Sequence, residues 1–239
     1  MKISIIMPTY NEIEDIEKNI NNYVTYFKNK KQDYEIILSC NACKNKTLHT
    51  IKNLSKNNQK IKSIISIKKT GKGKAILEGF RIAKGEIVGF VDADGAYNYY
   101  DVIHMINEII SDNYDCVIAS KWKGIDFKNA QGNLTRNIFG RIWNQISSFL
   151  FDLDFRDTQG GAKFLKSKIL KKIINELHCN GFEFDVELLW SISKKKYRIK
   201  EVFLKNKYNK NSSFRTIDSF SMLLNILKLK IGAFNDKKR

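Results

Sequence analysis

Apolar residues cluster in five short runs through the first half of the chain: ISIIM (3–7), YEIILS (34–39), IKSIISI (61–67), EIVGFV (86–91) and YDCVIA (114–119). Each has the length of a strand and the β-branched content that suits a pleated, buried surface. Between them the apolar positions change period. Ile13, Ile16, Ile20, Val24 and Phe27 recur every three or four residues, as do Leu48, Ile51 and Leu54, and then Ile76, Phe80 and Ala83. That spacing lays one apolar stripe along a helix. Strand runs alternating with helical stripes predict an α/β fold, with a mainly parallel central sheet flanked by helices. Ligands of such sheets bind beyond the carboxyl ends of the strands, where loops and helix N-termini converge. The loops placed there are PTYNE, SCNACKNKT, TGKGKA and DADGA, and all carry polar side chains.

The second half is less regular. The pattern predicts helices around 134–151 and near 167–177, a β-like run KEVFL (200–204) and an amphipathic helix near 216–231. Two segments, RDTQGGAKFLK (156–166) and GFEFDVELLW (181–190), receive no element type. No linker composition separates the halves, so residues 1–239 are expected to form one domain.

Composition adds three constraints. An apolar fraction of 43% and a single proline argue for a folded chain. The net charge of +17 is concentrated late, where residues 194–239 hold 14 Lys and Arg against Glu201, Asp218 and Asp236. That imbalance points to an anionic partner, whether nucleic acid, a membrane surface or a phosphorylated substrate. No RNA-binding or helix-turn-helix signature accompanies the charge, so nucleic acid is not expected. KISIIM opens the chain without a signal-peptide pattern, four cysteines without a scaffold pattern fit a reducing compartment, and no run is long enough to span a bilayer. A cytoplasmic protein, with at most peripheral membrane contact, is the expectation.

Candidate chemistry centres on VDADGA (91–96). An apolar strand followed by D-x-D-G suits three readings: an aspartyl nucleophile of the haloacid dehalogenase type, a divalent metal holding a diphosphate, or an acidic turn closed by Gly95. Gly71-Lys72-Gly73-Lys74 does not satisfy the Walker A pattern. Cys40 and Cys43 spell C-x-x-C after a strand. A thioredoxin-type redox centre needs a cis-proline facing the cysteines, whereas the only proline here is Pro8. Zinc lacks a second ligand pair.

Taken in order, MPTYNE (7–12), GKGKAILEGF (71–80), FVDADGA (90–96), Ser120-Lys121, RDTQGGAKF (156–164) and FEFDVELLW (182–190) resemble the family-2 inverting glycosyltransferases of GT-A fold. The resemblance is nearest to the branch that makes dolichyl- or polyprenyl-phosphate sugars. It implies a GT-A sheet with a nucleotide-sugar half (1–120), an acceptor half (121–210) and a basic amphipathic C-terminal helix (211–239). It further implies that Pro8, Thr9, Tyr10, Asn11 and Glu12 bind the nucleotide of a UDP- or GDP-hexose. Asp92 and Asp94 would hold Mg²⁺ or Mn²⁺ on its diphosphate, with Asp94 counted as catalytic. Gly71 and Gly73 would let backbone approach the nucleotide, and Lys72 would pair with phosphate.

The family's usual Asp-Asp-Gly-Ser after the second strand is replaced here by Cys40-Asn41-Ala42-Cys43, leaving Asn41 to meet the base. A dolichyl or polyprenyl phosphate acceptor is already anionic and needs cations rather than a base, for which Lys121, Arg136 and Arg141 are the candidates. A sugar-hydroxyl acceptor would instead need a carboxylate base, Asp157 or Asp185. The resemblance also implies that the D-T-x-x-G segment, with Asp157 and Gln159, lies at the active site. On the last helix, Ile217, Phe220, Leu224, Leu227 and Ile231 share a face bordered by Arg215, Lys228 and Lys230, suiting either an anionic membrane surface or packing on the domain.

Overall fold

The computed structural model of the chain describes residues 1–10, 16–111, 113–122, 134–204 and 216–232, without the side chains of 134–137 and 216–220. Asn11, Glu12, Ile13 and Arg215, and the side chains of Arg136, Ile217 and Phe220, therefore lie outside the described residues.

The five apolar runs become strands β1 (Ile3–Thr9), β2 (Tyr34–Asn41), β3 (Ile61–Ser66), β4 (Ile87–Val91) and β5 (Cys116–Ser120). Between them run helices α1 (Ile16–Asn29), α2 (Asn45–Asn57), α3 (Lys72–Ile82) and α4 (Tyr99–Ile110). There follow α5 (Leu134–Phe151), β6 (Ala162–Lys166), α6 (Ser167–Ile173), α7 (Phe184–Lys194), β7 (Ile199–Phe203) and α8 (Thr216–Lys230). The seven strands form one sheet in the order β3-β2-β1-β4-β6-β5-β7. Pairings β1–β2, β2–β3, β1–β4 and β5–β7 are parallel, as the alternating pattern predicts.

β6 departs from the pattern. It lies in the segment that carries no clear signal, and it inserts antiparallel between β4 and β5. The sheet therefore interleaves the two halves of the sequence, because a strand from beyond residue 160 separates two strands of the first half. Gly89 pairs with Phe164 in this register, and its lack of a Cβ leaves room for the Phe164 ring.

Successive residues on a strand face opposite sides. Ile5 and Ile6 thus belong to different cores. One face of the sheet packs Ile5, Ile36 and Phe164 against Ile20, Phe27, Val102 and Ile106 of α1 and α4. The other packs Ile6, Ile37 and Leu165 against Ile76, Phe80, Leu189 and Ile226 of α3, α7 and α8. Both faces of the sheet are covered, which explains why its parallel strands read as continuous apolar runs rather than as alternation.

The last helix has the predicted period with the opposite face inward. Met222, Ile226 and Leu229 are buried, whereas Leu224, Leu227 and Ile231 are exposed beside Lys228 and Lys230. Among the described residues no helix is long and apolar enough to cross a membrane.

Candidate active site

The carboxyl ends of β1, β2, β4 and β5 open onto a cavity of about 550 Å³. Pro8, Thr9 and Tyr10 enter it from β1, Asn41 from β2, Asp92 and Asp94 from the turn after β4, and Lys121 from the end of β5. Lys69, Gly71 and Lys72 line it before and at the start of α3, and Gln159 lines it before β6. The opposite wall is apolar: Phe139, Ile142, Trp143 and Ile146 of α5 face Met222 and Leu223 of α8. Of the residues expected at the site, Pro8, Thr9, Tyr10, Asn41, Gly71, Lys72, Asp92, Asp94, Lys121, Gln159 and Asp185 meet here.

Asp92 is held by the sheet. Its backbone N–H donates to the Gly161 carbonyl over 2.8 Å, and a Cβ on Gly161 would collide with the Asp92 carboxylate. The second glycine of T-Q-G-G therefore makes space for the first aspartate of D-A-D. Asp94 closes its own turn, with Oδ1 accepting from Ala96 N–H at 3.0 Å, while Gly95 takes a positive φ of 72°. An acidic turn and a carboxylate pair on a cavity wall are thus the same feature.

Lys72 lies across this pair. Its ammonium is 2.8 Å from Asp92 and 3.7 Å from Asp185, at the start of α7. Burial works against its charge, but the carboxylates of Asp92, Asp185 and Asp94 outweigh that penalty and hold its pKa above the ordinary lysine value. Lys163 of β6, fully buried, lies 2.5 Å from the other Asp185 oxygen and donates to the Gly160 carbonyl at 2.8 Å. Both ammonium groups sit 5.5 Å from the centroid of the Phe90 ring.

Packing within the protein also requires Gly71 and Gly73. A Cβ at Gly71 would strike the Asn180 carbonyl, and one at Gly73 would lie 2.5 Å from Phe184 Cβ and 2.7 Å from the Cys179 carbonyl. The glycines let the first turn of α3 press against the 179–184 segment. There Gly73 N–H and Lys74 N–H donate to the Gly181 and Asn180 carbonyls. These amides of the helix N-terminus are thus occupied by protein carbonyls.

Asn41 likewise has a partner inside the protein, since its Oδ1 accepts from Thr70 N–H at 2.7 Å and from the Thr70 hydroxyl at 3.2 Å. It lines the cavity and also fixes the loop before α3. The neighbouring Cys40 and Cys43 form a disulfide, a pairing that the expectation of a reducing compartment did not include. No cis peptide bond occurs among the described residues, so Pro8 gives no thioredoxin-type element.

Asp157 does not line the cavity. Its carboxylate is 3% exposed and is directed at backbone, accepting from Lys121 N–H and Gln159 N–H, each at 3.1 Å. It holds the backbone of the two neighbouring cavity residues. Asp185, the other carboxylate considered as a base, lines the cavity and is paired with Lys72 and Lys163. Arg141 stacks 4.0 Å from the Trp122 ring, and the Lys121 ammonium lies 5.2 Å from it.

Three features were not singled out from the sequence. Glu183 lines the cavity, with one oxygen accepting from Gly181 N–H at 3.1 Å and from Asn225 Nδ2 of α8 at 3.0 Å. Glu187 accepts the His178 and Cys179 N–H groups at 2.8 Å each, and burial pushes its carboxyl up to about 7. Lys163 completes the buried charge pair. The only sequence signal for them was a cluster of acids in F-E-F-D-V-E and one lysine inside an otherwise apolar run.

The donor set fits a hard divalent cation. Such ions are held by one or two carboxylates plus substrate phosphates and water. Asp92 and Asp94 supply two carboxylates, and among the described residues no group of three His, Cys, Asp or Glu side chains forms an all-protein cage. A cation here would complete its coordination from a phosphorylated ligand.

Comparison with known proteins bears on this arrangement. The family model described as Glycosyl transferase family 2 matches residues 4–174. Dolichyl-phosphate beta-glucosyltransferase ALG5D of Trichomonas vaginalis is 24% identical over 238 residues, covering 96% of this chain and 73% of that protein. Glycosyltransferase AglD of Haloferax volcanii is 22% identical over 203 residues, covering 84% of this chain, which spans only 32% of AglD. Glucosyl-3-phosphoglycerate synthase of Mycobacterium tuberculosis, solved with Mn²⁺, UDP-glucose and phosphoglyceric acid, superposes with a TM-score of 0.70 at 15% identity, over 96% of this chain and 79% of that one. At that identity the likeness is one of fold.

Proposed function

The chain belongs to glycosyl transferase family 2, and from that premise we propose that it transfers a hexose, glucose or mannose, from a UDP- or GDP-linked donor to dolichyl or polyprenyl phosphate at the cytosolic face of a membrane. The observation that carries this reading is the composition of one cavity. A carboxylate pair suited to a metal and diphosphate shares it with Lys121 and with an apolar wall built from α5 and α8. A lipid phosphate needs both halves of such a site, cations for its head and apolar surface for its chain. The name of the Trichomonas relative, a dolichyl-phosphate glucosyltransferase, supports the same acceptor, and the exposed Leu224, Leu227 and Ile231 beside Lys228 and Lys230 support contact with an anionic bilayer.

The carboxylates favour the phosphate acceptor on a second ground. Asp157 is spent on backbone amides and Asp185 on two lysines. A phosphate monoester attacks without a general base, so their engagement costs the reaction nothing. Pro8, Tyr10, Asn41, Gln159 and Lys121 all line the cavity; in this reading the first three meet the nucleotide and the last two the acceptor. A Mg²⁺ or Mn²⁺ ion bound to Asp92 and Asp94 would neutralise charge on the departing diphosphate. Single in-line displacement by the acceptor inverts the anomeric centre. The alternative acceptor, a sugar hydroxyl in a surface glycan, is favoured by the Glu183 and Asp185 carboxylates on the cavity wall.

The test supplies labelled UDP-glucose or GDP-mannose with polyprenyl phosphate or with an oligosaccharide, each with and without Mn²⁺. Metal-dependent label in the organic phase, released by mild acid, is expected. Label confined to the oligosaccharide would replace this reading with the glycan one, and no transfer from any donor would point to a non-catalytic binding protein.

A further inference from the structure

The carboxylates around the D-A-D turn are already partly offset by protein cations. Two ammonium groups, Lys72 and Lys163, alternate with two carboxylates, Asp92 and Asp185, in a single file from the buried sheet to the cavity. The inner end is fixed, because Lys163 is fully buried and also held by the Gly160 carbonyl. The outer end is not, because the Asp92 side chain is 33% exposed and faces the cavity. Lys72 is the mobile type of group between them, a flexible stem carrying a point charge.

A divalent cation approaching Asp92 meets that ammonium already at contact distance. Two cations on one carboxylate repel strongly in a partly buried site, where charges are poorly screened. A nucleoside diphosphate changes the balance. Its negative charges offset the ion and offer Lys72 a new partner within the same cavity.

We infer that Lys72 is the resident counter-cation of Asp92: without nucleotide it opposes divalent metal binding, and it is drawn to the diphosphate when the nucleotide enters, so that metal and nucleotide bind as a unit. The inference rests on the metal and diphosphate reading of the site proposed above. It makes Lys72 a gate on the order of binding as well as a phosphate contact.

The test reads metal binding rather than turnover. Mn²⁺ is titrated into the purified chain alone, and then with UDP or GDP present, and free Mn²⁺ is followed by its electron paramagnetic resonance signal. Lys72→Met removes the charge and keeps the stem. It is expected to bind Mn²⁺ alone at least about tenfold tighter than the unmodified protein, and to lose most of the gain that nucleotide gives. Lys69→Met is the control, since Lys69 lines the same cavity with its ammonium over the Tyr10 ring at 4.9 Å. It is expected to shift Mn²⁺ affinity by less than about twofold, as a more distant charge in a solvated mouth should. Lys72→Gln, neutral but able to hydrogen-bond both carboxylates, serves if the methionine variant melts at the assay temperature.

Unchanged or weaker Mn²⁺ binding by both neutral Lys72 variants, with normal nucleotide-dependent binding in the unmodified protein, would overturn the inference alone. An equal gain in Lys69→Met would overturn it too, by showing a general charge effect. If the unmodified protein shows no saturable Mn²⁺ binding with either nucleotide, the metal reading falls and the gate falls with it.

Discussion

Replacing Lys163 by methionine isolates the contribution of the buried charge pair. The ammonium is fully buried on β6, 2.5 Å from Asp185 and 2.8 Å from the Gly160 carbonyl. Methionine has nearly the same length, so packing is kept while one charge and two hydrogen bonds are lost. Asp185 is left with Lys72 at 3.7 Å, and the Gly160 carbonyl loses the Lys163 donor. Breaking a buried pair from one side costs about 3–5 kcal/mol. The surviving attraction from Lys72 places this case near the lower end, about 3 kcal/mol. For a chain whose total stability is expected near 5–15 kcal/mol, that is a large fraction. With a urea m-value of about 2–3 kcal/mol/M, the midpoint should fall by about 1 M. The assay is equilibrium urea unfolding followed by circular dichroism. Lys163→Met combined with Asp185→Leu removes both charges and should recover to within about 2 kcal/mol of the starting protein, because an apolar replacement of a buried pair is close to neutral. A single variant that loses less than about 1 kcal/mol, or a double variant no more stable than the single, would refute the reasoning.

Three further outcomes are expected. Asp94→Asn should lower hexosyl transfer by about a hundredfold or more, the scale of removing one preorganised electrostatic contact, and should abolish the strengthening of donor binding by Mn²⁺; near-normal turnover would remove Asp94 from the metal site. Gly73→Ala places a Cβ 2.5 Å from Phe184 Cβ and 2.7 Å from the Cys179 carbonyl, so it should cost about 1–3 kcal/mol by overpacking, read as a lower melting temperature. The carboxyl of Glu187 is raised by burial from 4.5 to about 7. Its stabilising contribution is thus complete below the unfolded value and is lost as pH rises through the folded one, by up to about 3 kcal/mol. Urea midpoints should decline between about pH 5 and pH 8, and Glu187→Gln should flatten that limb; an unchanged slope in the variant would assign the pH dependence elsewhere.

Much of the sheet was legible because its parallel strands are buried on both faces and so spell continuous apolar runs. β6 was hidden for a physical reason. Lys163 interrupts its apolar run, and the partner that permits a charge there, Asp185, is 22 residues away in sequence. Nothing local in A-K-F-L-K reports that pairing. The glycines of G-K-G-K were visible, but their packing against residues 179–184, a non-local contact, was not. The D-A-D turn was recognisable from the order of motifs around it, whereas the direction of a carboxylate was not. Asp157 sits in a segment expected at the site and turns its oxygens to backbone amides instead. On α8 the helical period was readable, yet the helix has two apolar edges, and only its packing against α5 and α7 selects Met222, Ile226 and Leu229 for burial.

The central claim is transfer of a hexose to a lipid phosphate in the cavity shared by Asp92, Asp94 and the apolar wall. It is tested most directly by the initial rate at which label from a nucleotide hexose enters the organic phase with polyprenyl phosphate as the only acceptor, measured with Mn²⁺ and after its removal by chelation. The account predicts a rate that collapses on chelation and returns with added Mn²⁺, giving an acid-labile product. Equal rates with and without the metal, or label that never leaves the aqueous phase, would contradict it.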